Sequence, residues 1–289
     1  MEKVAIITDS CADVPAEYVE KYDIYVLPMV VLCNGEEFKD GITITAQDVY
    51  KKQINQIVKT ASPSGKDILN TFEIIKQKGY THVIAVLLAS GLSGTMNQVR
   101  LLSQTIDDLE IEVIDSQSGS IGYGMVVIQL AMYRNQGLSF SQLIEKGQKL
   151  VANTYVYFSI DSLEYLEKGG RIGKATAFIG GIMKIKPILS FEKGTGIIYV
   201  PAKARGRKKV QPKLLDLIAS LVENYPHRAF NIVVADGAME EEHQQLENKL
   251  KELYPQMKLC VNTTIGGALS TYLGPGLLGA GIQFLEDND

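Results

Sequence analysis

Hydrophobic and polar positions along this chain follow two alternating periods. Runs dense in Val, Ile and Leu at residues 4–7, 24–33, 82–88 and 112–115 predict strands. Between them Ile68, Leu69, Phe72 and Ile75 recur at the 3.6-residue period, as does the apolar face of residues 125–133, which predicts helices. Strands that are apolar throughout and alternate with helices imply a parallel sheet covered on both faces.

A second series begins near residue 155 and has a different character. Residues 155–160, 187–191, 197–201 and 230–235 read as strands, and the Gly194-Thr195-Gly196 turn predicts that the middle two pair as a hairpin. Leu214, Leu217, Ile218 and Leu221 mark one amphipathic helix after Pro212, and Leu246, Leu250 and Leu253 mark another. The expected fold is therefore two-domain α/β. A Rossmann-like parallel-sheet domain over residues 1–154 precedes a mixed α+β domain over residues 155–289.

Composition narrows the function classes. With 289 residues, 46% of them hydrophobic, the chain is long enough to bury a large core without a disulfide or a metal. A formal charge of −4 argues against a general nucleic-acid binder. No apolar stretch approaches the ~20 residues needed to cross a bilayer, and the short run at residues 4–7 lacks a signal-peptide core. Cys11, Cys33 and Cys260 are scattered, with neither metal spacing nor a disulfide framework. A cytoplasmic protein is expected.

Candidate chemistry gathers where predicted strands run into helices. Four such junctions are rich in small hydroxyl residues and glycine: Thr8-Asp9-Ser10, residues 60–64, residues 90–95, and Asp115-Ser116 with Ser118 and Ser120. Ligands of open parallel sheets bind beyond the carboxyl ends of the strands, and hydroxyls with free N–H groups at helix N-termini favour an anion. Each junction is also explained by ordinary helix capping. Ser93 sits where a hydrolase nucleophile would, but Gly91-Leu92-Ser93-Gly94-Thr95 breaks the G-x-S-x-G pattern. His82 opens the strand that leads to Ser93, while His227 and His243 lie in polar contexts expected to be solvated. Neither phosphate-binding glycine fingerprint is present, and no ligand spacing calls for a metal.

Three stretches of the second half stay open on these grounds. Leu166-Glu167-Lys168-Gly169-Gly170-Arg171-Ile172-Gly173 is a helix end whose glycines suit a C-cap. Residues 203–213 hold six basic side chains and no acid, suited to an acidic partner, a phosphate or plain solvation. Gly274-Pro275-Gly276 makes a rigid turn against either a ligand or a neighbouring strand.

Taken in order, these motifs resemble the DegV family, the fatty-acid-binding subunits that work with bacterial fatty acid kinase. The resemblance rests on Thr8-Asp9-Ser10 with Asp13 and Pro15, residues 60–64, residues 90–95, Asp115-Ser116, residues 166–172, Lys184-Ile185-Lys186-Pro187-Ile188-Leu189, residues 205–209 and Gly274-Pro275-Gly276. It implies a long-chain fatty acid, such as palmitate or oleate, held between the two domains. It also implies that the protein is a carrier with no cofactor and no catalytic residue, its carboxylate being phosphorylated by a separate ATP-dependent kinase subunit. The positions matching the family's carboxylate motifs are Thr60 and Ser93, with Gly94 and Thr95 in the same motif as Ser93. For the acyl tail, Phe178, Ile179, Ile182, Met183, Ile185 and Ile188 are plausible lining residues. Arg205, Arg207, Lys208 and Lys209 resemble the family's basic motif and could dock the kinase or an anionic membrane surface.

Two departures from the family pattern bear on the ligand. Tyr272 replaces the usual His of the C-terminal motif; a phenol still donates a hydrogen bond but does not become cationic near neutral pH. Thr60-Ala61-Ser62-Pro63 replaces a common Thr-Ser-Gln-Pro, so Ser62 could share or take over the contact of Thr60. Two other functions remain as alternatives: a phosphoryl-transfer enzyme acting on a small carbonyl compound, and a lipid-sensing regulator.

Overall fold

The computed structural model describes residues 2–178 and 185–286. Its first sheet is parallel, with β2 (Ile24–Leu27), β1 (Val4–Asp9), β6 (His82–Leu87) and β7 (Glu110–Asp115) in that spatial order. All six residues of β1 are buried, because each face of the sheet meets helices. Ala5 and Ile7 pack with Ile68, Phe72 and Ile75 of α3 (Gly65–Gln77) and Val99 of α4 (Thr95–Ser103). Val4 and Ile6 point the other way, toward Tyr123 and Val127 of α5 (Ile121–Asn135). That alternation is the period-2 geometry of a strand.

The run expected as one strand over residues 24–33 is two strands in different sheets. Pro28, which has no N–H to give a ladder, separates β2 from β3 (Val30–Cys33). Strand β3 lies between β4 (Glu36–Lys39) and β5 (Val58–Ala61) in a small antiparallel sheet. Helices α1 (Ala16–Lys21) and α2 (Ala46–Gln53) flank these connections.

Residues from Thr154 onward build a six-stranded mixed sheet. Its order is β10 (Ile198–Arg205), β9 (Ile185–Phe191), β8 (Thr154–Ser159), β13 (Leu277–Phe284), β11 (Phe230–Gly237) and β12 (Cys260–Thr264). Only β11 and β12 pair in parallel. The expected hairpin is β9–β10, with a register shift between Tyr199 and Ala202. Helices α8 (Val210–Asn224) and α9 (Glu240–Leu253) cover the outer face, and Pro212 falls in the first turn of α8, where its missing N–H has no intrahelical partner to lose.

Helix α5 fills the space between the two large sheets, packing on β1 and on β8 and β11. It is buried almost all round, so the single apolar face read at residues 125–133 understates its environment. Its buried Gln129 is satisfied by Asn231, which also bonds Gln283. Helices α6 (Phe140–Ala152), α7 (Glu164–Gly169) and α10 (Gly267–Leu273) complete the fold. Among the described residues no helix is long and apolar enough to cross a membrane.

Candidate functional site: a hydroxyl-edged apolar cavity

The two large sheets, α5 and α10 enclose a cavity of about 240 Å³. Most of its wall is apolar, with Leu88, Phe158, Phe191, Val233 and Leu277 among the lining side chains. Phe158 of β8 and Phe191 of β9 pack together there with ring centroids 5.5 Å apart.

The polar part of the wall comes from two of the sequence-marked junctions and from α10. Thr60, Ser62, Ser93, Gly94 and Tyr272 all line the cavity. Thr60 Oγ1 lies 2.7 Å from the Tyr272 hydroxyl, which joins the small sheet to α10 across 212 residues of sequence. Thr95 is fully buried and sits behind the others. Its Oγ1 is 2.9 Å from Ser93 Oγ and donates to Ser62 Oγ at 3.1 Å, while its N–H donates to Ser93 Oγ at 3.2 Å. Three hydroxyls from two separated loops thus form one chain, with Thr95 positioning the other two. The junction at residues 60–64 follows β5 of the antiparallel sheet, so it reaches this place without belonging to the parallel sheet's carboxyl edge.

The remaining junctions divide between capping and lining. Thr8 Oγ1 donates to Val86 O of the neighbouring strand, and Ser10 Oγ donates to Asp40, so both are spent on contacts between segments and neither lines this cavity. Cys11 lines the cavity, and burial pushes its thiol pKa well above the usual range. Ser120 also lines it and donates to Asp13 at 2.5 Å, while Asp13 accepts the Gly266 N–H at 2.8 Å. Burial drives the Asp13 pKa up to about 8 against the pull of those two bonds. Burial thus favours the uncharged form of this acid beside the cavity.

The helix end at residues 166–172 is a C-cap and also part of the wall. Gly170 closes α7 in the left-handed conformation at φ 72°. A Cβ on Gly169 would stand 2.2 Å from the Tyr272 ring, so only glycine lets α7 approach the aromatic so closely. Leu166 and Arg171 both line the cavity. The Arg171 guanidinium lies 5.1 Å over the Tyr272 ring and donates to Leu92 O and Gly169 O.

Several sequence-derived candidates fall elsewhere. Ile188 is buried among the residues of the sheet's outer face, whereas its neighbour Leu189 belongs to the inner core. Phe178 carries the Lys203 ammonium 4.7 Å from its ring, and Ile185 is 36% exposed. None of these three lines the cavity as described, and Ile179, Ile182 and Met183 lie outside the described residues. For Ile188 strand alternation explains the difference, since facing is set by register and not by hydrophobicity.

In the basic segment, Arg205, Lys208 and Lys209 are exposed, but Arg207 is committed internally. It pairs with Glu242 at 2.9 Å, approaches Asp161 at 3.5 Å and donates to Gly276 O at 2.7 Å. Arg207 thus anchors the glycine-proline turn. That turn packs on its own chain, for a Cβ on Gly276 would stand 2.3 Å from Asp161.

The histidines supply no base to the cavity. His82 pairs with Glu110 at the amino edge of the sheet, and His227 is exposed. His243 differs from the solvated side chain expected: it is half-buried, bridging Asp236 at 3.0 Å and Asn262 at 3.2 Å. Among the described residues no cluster of three or more His, Cys, Asp or Glu side chains could hold a metal ion.

Met29, Phe158 and Phe191 line the cavity without having been singled out in the sequence, and Arg171 lines it from a stretch read there as a helix end. Phe158 and Phe191 each sit in a predicted strand, but only the register of the folded sheet shows that they face inward. Met29 carried no signal, because its place after Pro28 is set only by tertiary packing.

Comparison with known proteins gives this architecture a context. Residues 3–285 match the model of the DegV family, described as uncharacterised proteins. A DegV domain-containing protein of Clostridium acetobutylicum is 35% identical over 283 residues, covering 96% of this chain and 98% of that protein. A DegV family protein of Thermus thermophilus, described for its fatty acid binding, superposes with a TM-score of 0.91 at 25% identity, covering 98% of this chain and 100% of that one. A stearic-acid-binding protein of Eubacterium ventriosum gives 0.89 at 26% identity, covering 98% of each chain. This chain belongs to the DegV family.

Proposed function

We propose that this protein holds a long-chain fatty acid between its halves, residues 1–154 and 155–289, and presents the carboxylate to the catalytic subunit of a fatty acid kinase. One observation carries the reading: a single apolar cavity has its hydroxyls gathered at Thr60, Ser62, Ser93 and Tyr272. Burial of each methylene contributes about 0.8 kcal/mol, so an apolar wall suffices to retain a long tail. A carboxylate drawn into such a wall is costly unless donors meet it. Here hydroxyls and the N-terminal N–H groups of α4 serve as donors, and the Arg171 guanidinium adds positive charge beside them. Neutral donors grip a carboxylate less tightly than a direct ion pair and leave an oxygen nucleophilic enough to accept a phosphoryl group.

The protein acts as a carrier in this account, and the kinase supplies ATP and catalysis. The fatty acid binding described for the two solved relatives supports the ligand class. Exposed Arg205, Lys208 and Lys209 provide the docking charge. Palmitate-loaded protein mixed with ATP and a fatty acid kinase catalytic subunit should yield acyl phosphate, trapped by hydroxylamine as the hydroxamate. Loaded protein that gives no hydroxamate with an active kinase would remove the presenting role.

A further inference from the structure

The central strands of the mixed sheet turn three successive layers of residues toward α5, and the layers differ in chemistry. Register sets Gly279 of β13 between Phe158 of β8 and Ala235 of β11, and all three line the cavity. Two residues farther along β13, Gly281 lies between Val156 and Val233, both of which also line the cavity. Two residues farther again, Gln283 lies between Thr154 and Asn231. This third layer is buried and closed on itself. Asn231 donates to Gln129 of α5 at 3.0 Å and to Gln283 at 3.1 Å, and Gln283 donates to Thr154 Oγ1 at 3.0 Å.

The middle layer closes the chamber. A Cβ on Gly281 would stand 2.5 Å from a Val156 methyl and 2.8 Å from a Val233 methyl, and one on Gly122 of α5 would stand 2.9 Å from Val156. Two glycines thus let the valines seal the space between sheet and helix. At Gly279 the nearest atoms to a Cβ belong to strand β8, Phe158 Cβ at 3.0 Å and Tyr157 O at 3.3 Å, so the space above that glycine is cavity. The hydroxyl part lies at the other end of the series, because α10, which carries Tyr272, runs through residues 274–276 into Leu277 at the start of β13. An acyl chain with its carboxylate among those hydroxyls points its methyl end toward Val156 and Val233. Going past them would break up amides that are already fully paired with one another. We infer that Val156 and Val233 are the floor of the acyl site, with Gly279 and Ala235 keeping open the space above it, so that these four residues fix the chain length accepted. This rests on the reading that the ligand is a fatty acid held by its carboxylate at the hydroxyls.

Competition among chain lengths tests the inference. Delipidated whole protein is incubated with an equimolar mixture of saturated fatty acids from laurate to arachidate, and the retained acids are extracted and quantified by mass spectrometry. For wild type, retention should rise by about four-fold per added methylene until the methyl end meets the floor, and then fall. Val156→Ala removes two methyl groups from the floor and should move the preferred length up by about two carbons. Ala235→Val adds two methyl groups on an ordinary strand backbone and should move it down by about as much, and Gly279→Ala should move it down by about one carbon. Because the shifts run in opposite directions, a general loss of stability does not mimic them. A length profile unmoved in Val156→Ala and Ala235→Val, with wild-type amounts of acid retained, would overturn the floor while leaving the fatty-acid reading intact. Equal loss of every length in Val156→Ala would overturn it as well, assigning the valine to packing alone. Wild type that retains no acid at all would refute the fatty-acid reading and the floor with it.

Discussion

Ser93 does two jobs at the scale of single residues. Its hydroxyl lines the cavity and also accepts the Thr95 N–H, so under the proposed function it meets the ligand as well as holding the start of α4. Hydrogen bonds to charged groups contribute roughly 1.5–3 kcal/mol. Ser93→Ala is therefore expected to weaken palmitate binding by about ten- to a hundred-fold. Displacement of a fluorescent fatty acid measures this, and an unchanged dissociation constant would take Ser93 out of the site. Such hydroxyls were legible because small polar residues between apolar strands and helices stand out in a sequence. Phe158 and Phe191 were not, because their neighbours are equally apolar and only register decides which ones face inward.

Elements are tied together by polar contacts that the pattern of hydrophobicity does not announce. The carboxyl end of β11 supplies Asp236, β12 supplies Asn262, and α9 supplies His243 between them. The hydrogen bond that His243 Nδ1 donates to the Asp236 carboxylate is the largest influence that lifts the His243 pKa above its ordinary 6.5, and that same histidine helps hold Asp236 below 3.8 against its burial. A raised histidine stabilises the fold fully below its unfolded pKa, and that contribution fades as pH rises through the folded value. The lowered aspartate works oppositely, with its contribution lost as pH falls through the folded value. His243→Gln should thus lower Tm by about 2–4 °C near pH 6, for a loss on the order of 1 kcal/mol in this half-buried pair. The difference from wild type should shrink by pH 9. A deficit that does not change with pH would assign His243 to packing alone.

Element boundaries were readable to within a few residues where the period was clear, as for β1, β6 and α3. They failed where one apolar run served two sheets, at Pro28 between β2 and β3. The α9 network was missed for a related reason: His243 reads as solvated on a helix whose first turn holds Glu240, Glu241 and Glu242. Its burial comes from the strands beside it, which local sequence does not encode.

Across the whole molecule, the cavity exists only because distant segments meet. Tyr272 of α10 reaches Thr60 of β5, and Phe191 of the β9–β10 hairpin reaches Phe158 of β8. The two-part α/β class followed from the alternation of periods, whereas the cavity's wall depends on how the sheets stack around α5. Buried acids such as Asp13 belong to this scale as well, since they knit α5 and α10 to the first strand's turn. The most direct test of the account is organic extraction and mass spectrometry of purified, denatured protein, beside a control protein prepared in parallel. The account expects one long-chain fatty acid per chain. Protein that is empty, and that also fails to take up added palmitate or oleate, would contradict it.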